Sequence, residues 1–401
     1  MRLFLLTLLV VSSLFASLTT KESYQIDDYI AQSFDLDRSF LQSENFQRVY
    51  HRYERIKGRS FINVKHPQTY FIPELEKILE AQGVPEVFLF MAMVESNFAT
   101  KARSHKAAVG IWQFMPKTAK KFGLRIDSFV DERKDPIKST RAAVKYLKFL
   151  YKMFGKWYLA ALAYNAGEGT VLRAIKRAGS ERAEVLLDPK KKYLPKESRI
   201  YLYKILSYAK LSYDFDSKLS QELGYILARE DDYQIVPVEV KGAETLEYIG
   251  ERIRMKTSFL RMLNPHLIRG YTPPGARKYQ IYIPKFKYLA FKKRYKPSNV
   301  YTNFIVYKTK SGDSLYKIAH RYGVSIKSLR EFNRLKGRYL RVGKELIIPI
   351  AKSHKRHYVV KPGDTIIKIA KRFGVDPKKL KRWNDKKDNF LRVGERLVVL
   401  Y

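Results

Sequence analysis

The sequence predicts a multidomain protein: an α-helical domain in the first half, followed by small α/β modules of βααβ type. Three observations carry that prediction. The chain has 401 residues, which exceeds one typical domain. Between residues 69 and 215, apolar residues recur at helical spacing between good helix caps. Beyond residue 300 the sequence repeats itself at an offset of 51 positions without a gap.

Met1-Arg2 is followed by an apolar run over residues 3–11, extended by Leu14-Phe15-Ala16. A positive start and a short apolar core are the pattern of an export signal, and the run is too short for a standard membrane span. Residues 1–20 are therefore expected as a signal peptide, with cleavage between Ala16 and Thr20 and an uncleaved anchor as the alternative. Residues 21–68 form an N-terminal extension with helical pieces and many aromatics.

The helical domain is expected over residues 69–215. Residues 73–82 spell a helix closed by Gly83, and Pro85-Glu86 opens another, since proline is tolerated in a first turn. Met115-Pro116 opens a short helix. Asp135 is the expected N-cap of a helix over 136–154, with Val144, Leu147, Tyr151 and Phe154 on one stripe and Gly155 after it. Tyr164-Asn165-Ala166-Gly167 ends a further helix, and residues 197–213 form a late one.

In the C-terminal third, Gly312-Asp313-Ser314-Leu315 aligns with Gly363-Asp364-Thr365-Ile366, and Asn333 with Asn384. Leu340-Arg341-Val342-Gly343 meets Leu391-Arg392-Val393-Gly394. Each copy spells a strand, a Gly-Asp turn, two helices and a closing strand. Asp313 and Asp364 are expected to cap the first helix, with Ser314 and Thr365 as competitors. The copies occupy residues 303–350 and 357–401. A degenerate third copy is expected over 233–285, where Leu246 and Asn264 keep the 18-residue separation of Leu315 and Asn333 but Ala243 replaces the aspartate.

The chemistry centres on Glu95. Phe88, Met91, Ala92 and Glu95 fall at i, i+3, i+4 and i+7, a face that is apolar except for the glutamate. A carboxylate on a buried stripe is poorly solvated, its pKa rises, and a carboxyl protonated near neutral pH can protonate a leaving group. A core carboxylate paired with an arginine would satisfy the same pattern. Two further motifs favour chemistry: the Gly110-Ile111-Trp112-Gln113 turn, and Tyr164-Asn165, whose ring and amide can stack on and bond to a sugar. Ordinary glycosidases use two carboxylates. Between Gln113 and Tyr164 the acids are Asp127, Asp131, Glu132 and Asp135, and all but the capping Asp135 are expected as solvated loop charges.

Glu95-Ser96, Ser104, the stretch from Gly110 to Pro116, Ala163-Tyr164-Asn165-Ala166-Gly167 and the stretch from Leu194 to Tyr201 stand in the order of one known family. Together they resemble the lysozyme-like lytic transglycosylases with an SLT domain, and most closely the membrane-bound lytic murein transglycosylase D group. The resemblance implies an α-helical lysozyme-like catalytic domain and places the catalytic acid/base at Glu95. It implies a sugar cleft lined by Ser104, Gln113, Met115, Tyr146, Tyr164, Asn165 and Glu197. It also implies cleavage of the MurNAc-GlcNAc β-1,4 bond of peptidoglycan with closure of a 1,6-anhydro ring, without consumption of water. A goose-type muramidase would share the motif set, and a non-catalytic wall-binding protein would share the modules. The C-terminal repeats resemble LysM modules. That resemblance implies glycan contacts at Gly312, Asp313, Ser314 and Leu315 with residues 338–340, and at Gly363, Asp364, Thr365 and Ile366 with residues 389–391.

The formal net charge is +39, which favours polyanionic surroundings. Residues 300–401 hold 26 Lys+Arg against 8 Asp+Glu. Attraction to anionic envelope polymers and plain solvated lysine faces both account for it. No helix-turn-helix or RNP-type signature accompanies the charge, so no nucleic-acid partner is expected. The expected partner is the peptidoglycan glycan strand, with envelope association through the LysM modules. Cysteine is absent, which excludes disulfides and a lipoprotein cysteine. The seven histidines show no ligand spacing, and neither metal nor cofactor is expected. The location implied is the periplasm.

Overall fold

The computed structural model describes residues 23–400 except 57, 215, 229–233, 274–275, 299–300, 323, 334, 336–339, 352–354, 374 and 387. The expected signal peptide over 1–20 lies outside the described residues, as do positions 338–339 of the first module. The chain divides into two units: Met1–Val238, Ile253–Ile268 and Tyr282–Lys293 in the first, and Glu239–Arg252, Arg269–Ile281 and Arg294–Tyr401 in the second. A helical domain followed by small mixed modules is the expected fold class, and the elements deliver it.

The first unit begins with α1 (Ser23–Gln32), α2 (Ser39–Gln42) and α3 (Glu44–Glu54). These belong to the segment set apart as an extension, yet Ile30, Phe34, Phe40, Leu41 and Phe46 join the same core as the helices downstream. Phe34 stacks on Phe88 at 4.8 Å between ring centres, and Phe40 on Tyr203 at 5.5 Å. Next come α4 (Ile72–Ala81), α5 (Leu89–Ser96), α6 (Pro116–Lys121), α7 (Pro136–Phe154) and α8 (Trp157–Ala166). They are followed by α9 (Glu168–Ala178), α10 (Ala183–Leu186), α11 (Lys196–Ser212) and α12 (Lys218–Leu227). Residues Tyr158 to Ala163 of α8 are buried in succession, as expected of a helix apolar all round. Helix α11 packs against α1, α3, α5, α8 and α12, so it is the axis of the unit.

Asp135 caps α7 by accepting from the Lys138 amide at 3.0 Å. The expectation that Asp131 and Glu132 are solvated fails, for both are buried. The Arg133 guanidinium grips Asp131 through two bonds of 2.9 Å, and its Nη1 donates to the carbonyls of Ala107 and Phe114. Glu132 accepts from the Arg125 amide and pairs with Lys138. Burial is tolerated because each carboxylate is both paired and hydrogen-bonded.

β1 (Ile235–Lys241), α13 (Leu246–Ile253), α14 (Thr257–Leu263) and β2 (Lys278–Pro284) follow in βααβ order, then α15 (Tyr288–Arg294). The two clear repeats are β3 (Tyr301–Lys308), α16 (Leu315–Tyr322), α17 (Ile326–Asn333) and β4 (Glu345–Ala351), and then β5 (Lys355–Val359), α18 (Ile366–Phe373), α19 (Pro377–Trp383) and β6 (Arg396–Leu400). β3 pairs antiparallel with β4, and β5 with β6. The repeated asparagine clamps helix to strand. Asn333 donates to the carbonyls of Leu329 and Ile347 and accepts from the Ile347 amide at 2.6 Å. Asn384 repeats this with Leu380 and Val398. Asn264 makes the same set with Leu260 and Tyr282. Ser314 and Thr365 win the capping competition, accepting from the amides of Lys317 and Lys368. Asp313 and Asp364 instead accept from Tyr307 and Tyr358 and from the amides of Lys310 and Lys361.

Candidate active site

Glu95 sits in the last turn of α5 and is half-buried. The Tyr201 hydroxyl, from the second turn of α11, donates to its Oε1 at 2.7 Å. Burial pushes the Glu95 carboxyl up to about 7; the Tyr201 bond pulls it down and the nearby Glu197 charge pushes it up. Removal from water is the leading cause, so the acid is poised to hold a proton at neutral pH. Tyr164 and Tyr201 have hydroxyl pKa values well above the ordinary value, chiefly from burial and then from the Glu95 charge. Both therefore stay donors.

The turn after Glu95 is strained. Asn97 and Phe98 have φ of 51° and 58°, a region non-glycine residues rarely enter. Asn97 Nδ2 donates to the Phe61 carbonyl at 2.7 Å. Residues 60–62 are held in turn by Glu222, which accepts from the Ser60 hydroxyl and from the amides of Phe61 and Ile62. The extension thus braces the end of the helix that carries the acid.

A loop over residues 102–115 lies against α5 and α8. Ser96 Oγ donates to the Ile111 carbonyl at 3.0 Å, tying the loop to α5. Tyr164 OH donates to the Trp112 carbonyl at 2.8 Å, tying it to α8. Glu95, the loop and Tyr164 are thereby brought together. Gly110 has φ of 88°, and a Cβ there would lie 1.8 Å from the Arg133 carbonyl oxygen, so only glycine fits. Gln113, at φ 46°, folds its amide back to the Gly110 carbonyl at 2.7 Å. Ser104 Oγ accepts from the Ala108 amide at 3.1 Å. Met115 is 42% exposed.

Aromatic rings pack beside this loop, Tyr164 against Trp112 and Phe114. Tyr146 lies 5.1 Å from Tyr164 between ring centres, and its hydroxyl donates to Glu168 at 3.3 Å. Asn165 Oδ1 accepts from Ser198 at 2.7 Å, which leaves its amide hydrogens directed elsewhere. Glu197 is exposed on the first turn of α11. Tyr201 was not singled out as a site residue from sequence, although it lies in the same C-terminal motif as Glu197, one helical turn on.

In the modules, Gly312 and Gly363 take φ of 78° and 82°. The side chains of Leu315 and Ile366 are buried in the module cores, so they offer a ligand only backbone. The exposed apolar residues beside them are Tyr316 and Val342 in one copy and Ile367 and Val393 in the other, at equivalent positions. Among the described residues, no group of three or more His, Asp or Glu is arranged to hold a metal, and no helix is long and apolar enough to cross a membrane.

One protonatable carboxyl beside tyrosines in a helical domain, followed by βααβ modules, is the arrangement that the resemblance to the lysozyme-like lytic transglycosylases implies. The sequence matches the transglycosylase SLT domain family over residues 75–187 and the LysM domain family over 307–349 and 358–399. It is 30% identical over 345 residues to membrane-bound lytic murein transglycosylase D of Escherichia coli strain K12, covering 80% of this chain and 74% of the relative. The chain belongs to that family of lytic transglycosylases. It is also 35% identical over 89 residues to the cell wall-binding protein YocH of Bacillus subtilis strain 168, covering 22% of this chain and 31% of the relative. Among solved structures it aligns with the lytic transglycosylase Slt of Pseudomonas aeruginosa at 29% identity and a TM-score of 0.30, over 34% of this chain and 22% of that one.

Proposed function

We propose that the protein cleaves peptidoglycan glycan strands by a single-acid lytic route centred on Glu95. The observation that carries this reading is the half-buried Glu95 carboxyl, held near a pKa of about 7 beneath Tyr201. Protonated Glu95 gives its proton to the glycosidic oxygen between the muramyl and glucosaminyl rings, and the C1–O bond breaks. The N-acetyl carbonyl oxygen of the muramyl ring bonds to C1 in its place. Glu95, now a carboxylate, takes the proton of the C6 hydroxyl; O6 bonds to C1 and the N-acetyl oxygen leaves. The product is a 1,6-anhydro sugar, and the enzyme returns protonated.

Ser104, Gln113, Met115, Tyr146, Tyr164, Asn165 and Glu197 line the sugar path in this reading. Tyr164 and Tyr146 supply ring faces, and Asn165 supplies amide hydrogens. Gly312, Asp313, Ser314 and Leu315, with Gly363, Asp364, Thr365 and Ile366, form the turns through which the LysM modules hold N-acetylglucosamine-containing glycan. Modules on the same chain raise the local concentration of the cleft at an insoluble substrate. Residues 1–20 direct export, and the protein works in the periplasm, associated with the envelope.

Mass spectrometry of products released from isolated sacculi tests the route. Anhydro-muramyl ends are expected. Reducing muramyl ends would overturn it in favour of hydrolysis.

A further inference from the structure

The aromatic row does not end at the cleft. Beyond Tyr146 it continues to Phe122, 4.8 Å away between ring centres, and to Phe149, 6.5 Å away and nearly parallel at 26°. Phe122 and Phe149 lie 6.1 Å apart. Phe122 caps the C-terminus of α6, and Phe149 lies one turn beyond Tyr146 on α7. Four rings from Tyr164 outward therefore form one unbroken row of contacts. Tyr164, at the inner end, is half-buried. Tyr146 is buried, Phe122 is partly buried, Phe149 is 37% exposed, and Met153, one turn further along α7, is 42% exposed.

Phe122 packs against the core, but Phe149 and Met153 do not join it, and exposed apolar surface of this kind costs free energy in water. Its surroundings are cationic. Lys121 Nζ stands 4.5 Å from the Phe149 ring centre and 5.6 Å from that of Phe122. Lys117 lies one turn back on α6, and Lys145 and Lys152 flank Phe149 at i−4 and i+3 on α7; all are exposed. A ring face rimmed by ammonium groups suits a ligand that is apolar on one face and acidic at its edge.

We propose that Phe149, Phe122 and Lys121 form an outer subsite for a sugar of the same glycan strand, one that carries an acidic peptide substituent. The sugar face packs on Phe149 and Met153, and the substituent's carboxylate meets Lys121 and its neighbours. The occupant follows from the row of ring contacts that leads back to Tyr164 and from the sign of the charge. The assignment rests on the peptidoglycan-cleaving function proposed above.

The test uses the full-length protein and long glycan strands, with stem peptides intact or stripped by an amidase, against short fragments that fill only the cleft. The readout is the ratio of kcat/KM on long strands to that on short fragments. Phe149→Ala is expected to lower this ratio about five-fold on both kinds of strand. Phe149→Tyr, which keeps the ring, restores it. Lys121→Glu is expected to lower it only where peptides are present, and more so at low salt. Thermal melting of each variant checks that the fold persists. Wild-type ratios in both Phe149→Ala and Lys121→Glu would overturn the subsite. A loss in Phe149→Ala with no peptide-dependent effect of Lys121→Glu would overturn the acidic substituent. Failure of the wild-type protein to release any fragment would instead overturn the underlying function.

Discussion

The hydroxyl of Tyr201 donates to Oε1 of Glu95 across 106 positions of sequence, at 2.7 Å. This bond favours the ionised carboxylate, while burial favours the protonated acid, and burial wins. The tyrosine thus moderates an acid that would otherwise ionise later still. Removing the hydroxyl in Tyr201→Phe is expected to raise the Glu95 pKa further. Because bond breaking needs protonated Glu95, activity falls as pH rises through that pKa. The alkaline limb of the pH–rate profile should therefore move to higher pH in Tyr201→Phe, with kcat reduced about tenfold as the base formed after the first step loses a donor. An unmoved limb would remove Tyr201 from the proton economy of the site.

Glu95 also sets a pH dependence of stability. Its folded pKa of about 7 lies above the 4.5 of a free glutamate. Between those values the folded state binds more proton than the unfolded state, so stability falls as pH rises through that window and stays reduced above it. Glu95→Gln removes the ionisation and keeps an acceptor for Tyr201. The variant is expected to lose about a thousand-fold or more of activity. At pH 8 it should be more stable than the wild type by about 3 kcal/mol, an advantage that shrinks toward pH 4. Denaturant titrations at both pH values check this; a variant no more stable at pH 8 would mean that the carboxylate is well solvated when charged.

The brace behind the acid predicts a separation of activity from stability. Asn97→Gly keeps the left-handed backbone at little steric cost but loses the bond to the Phe61 carbonyl. It is expected to lower kcat several-fold with little change in KM, as Glu95 loses its fixed position. Glu222→Gln leaves one acceptor where a carboxylate accepts from three donors. It should cost about 1–3 kcal/mol of stability and reproduce the kcat loss. Equal loss of kcat and rise in KM for Asn97→Gly would point to a loosened cleft rather than a displaced acid.

What the sequence disclosed and what it hid follow from contact distance. The apolar stripe of α5, the Asp135 cap and the 51-residue repeat are written in near neighbours, and each was legible. Tyr201 and Glu222 act on residues 106 and about 160 positions away, and no local pattern marks such a partner. The burial of Asp131 and Glu132 was hidden for a related reason. Acidic residues in a loop are usually solvated, and their compensation comes from Arg133 in the same stretch and from Lys138 in the first turn of α7. The capping role passed to Ser314 and Thr365 because Tyr307 and Tyr358, six positions back, claim the aspartates first.

Gly110 links that hidden acidic cluster to the cleft. Its backbone lies against the Arg133 carbonyl, and Arg133 in turn holds the carbonyls of Ala107 and Phe114. Gly110→Ala adds a methyl group 1.8 Å from the Arg133 oxygen, at a φ of 88° that alanine avoids. The clash is with backbone, so the loop must move. A loss of about 3 kcal/mol or more is expected. Any folded variant should bind glycan poorly through Gln113 and Met115, seen as a raised KM.

The asparagine clamps make the modules separately breakable. Asn384→Ala strips the partners from the Val398 amide and carbonyl and from the Leu380 carbonyl. Unsatisfied groups at a helix–strand seam cost about 2–4 kcal/mol together. The core there is small, built on Ile366, Ile369, Leu380, Leu397 and Val399 among its buried residues, and a small domain has little stability to spare. The second LysM module should therefore unfold first in Asn384→Ala, visible as a separate low-temperature transition. Asn333→Ala should do the same to the first module, where Ile347 loses both its partners. Each variant is expected to bind isolated sacculi several-fold more weakly while its turnover of short soluble fragments is retained, because the helical unit keeps its own core. Unchanged sacculus binding in the double variant would show that the modules contribute nothing to wall capture and that the cleft holds the substrate by itself.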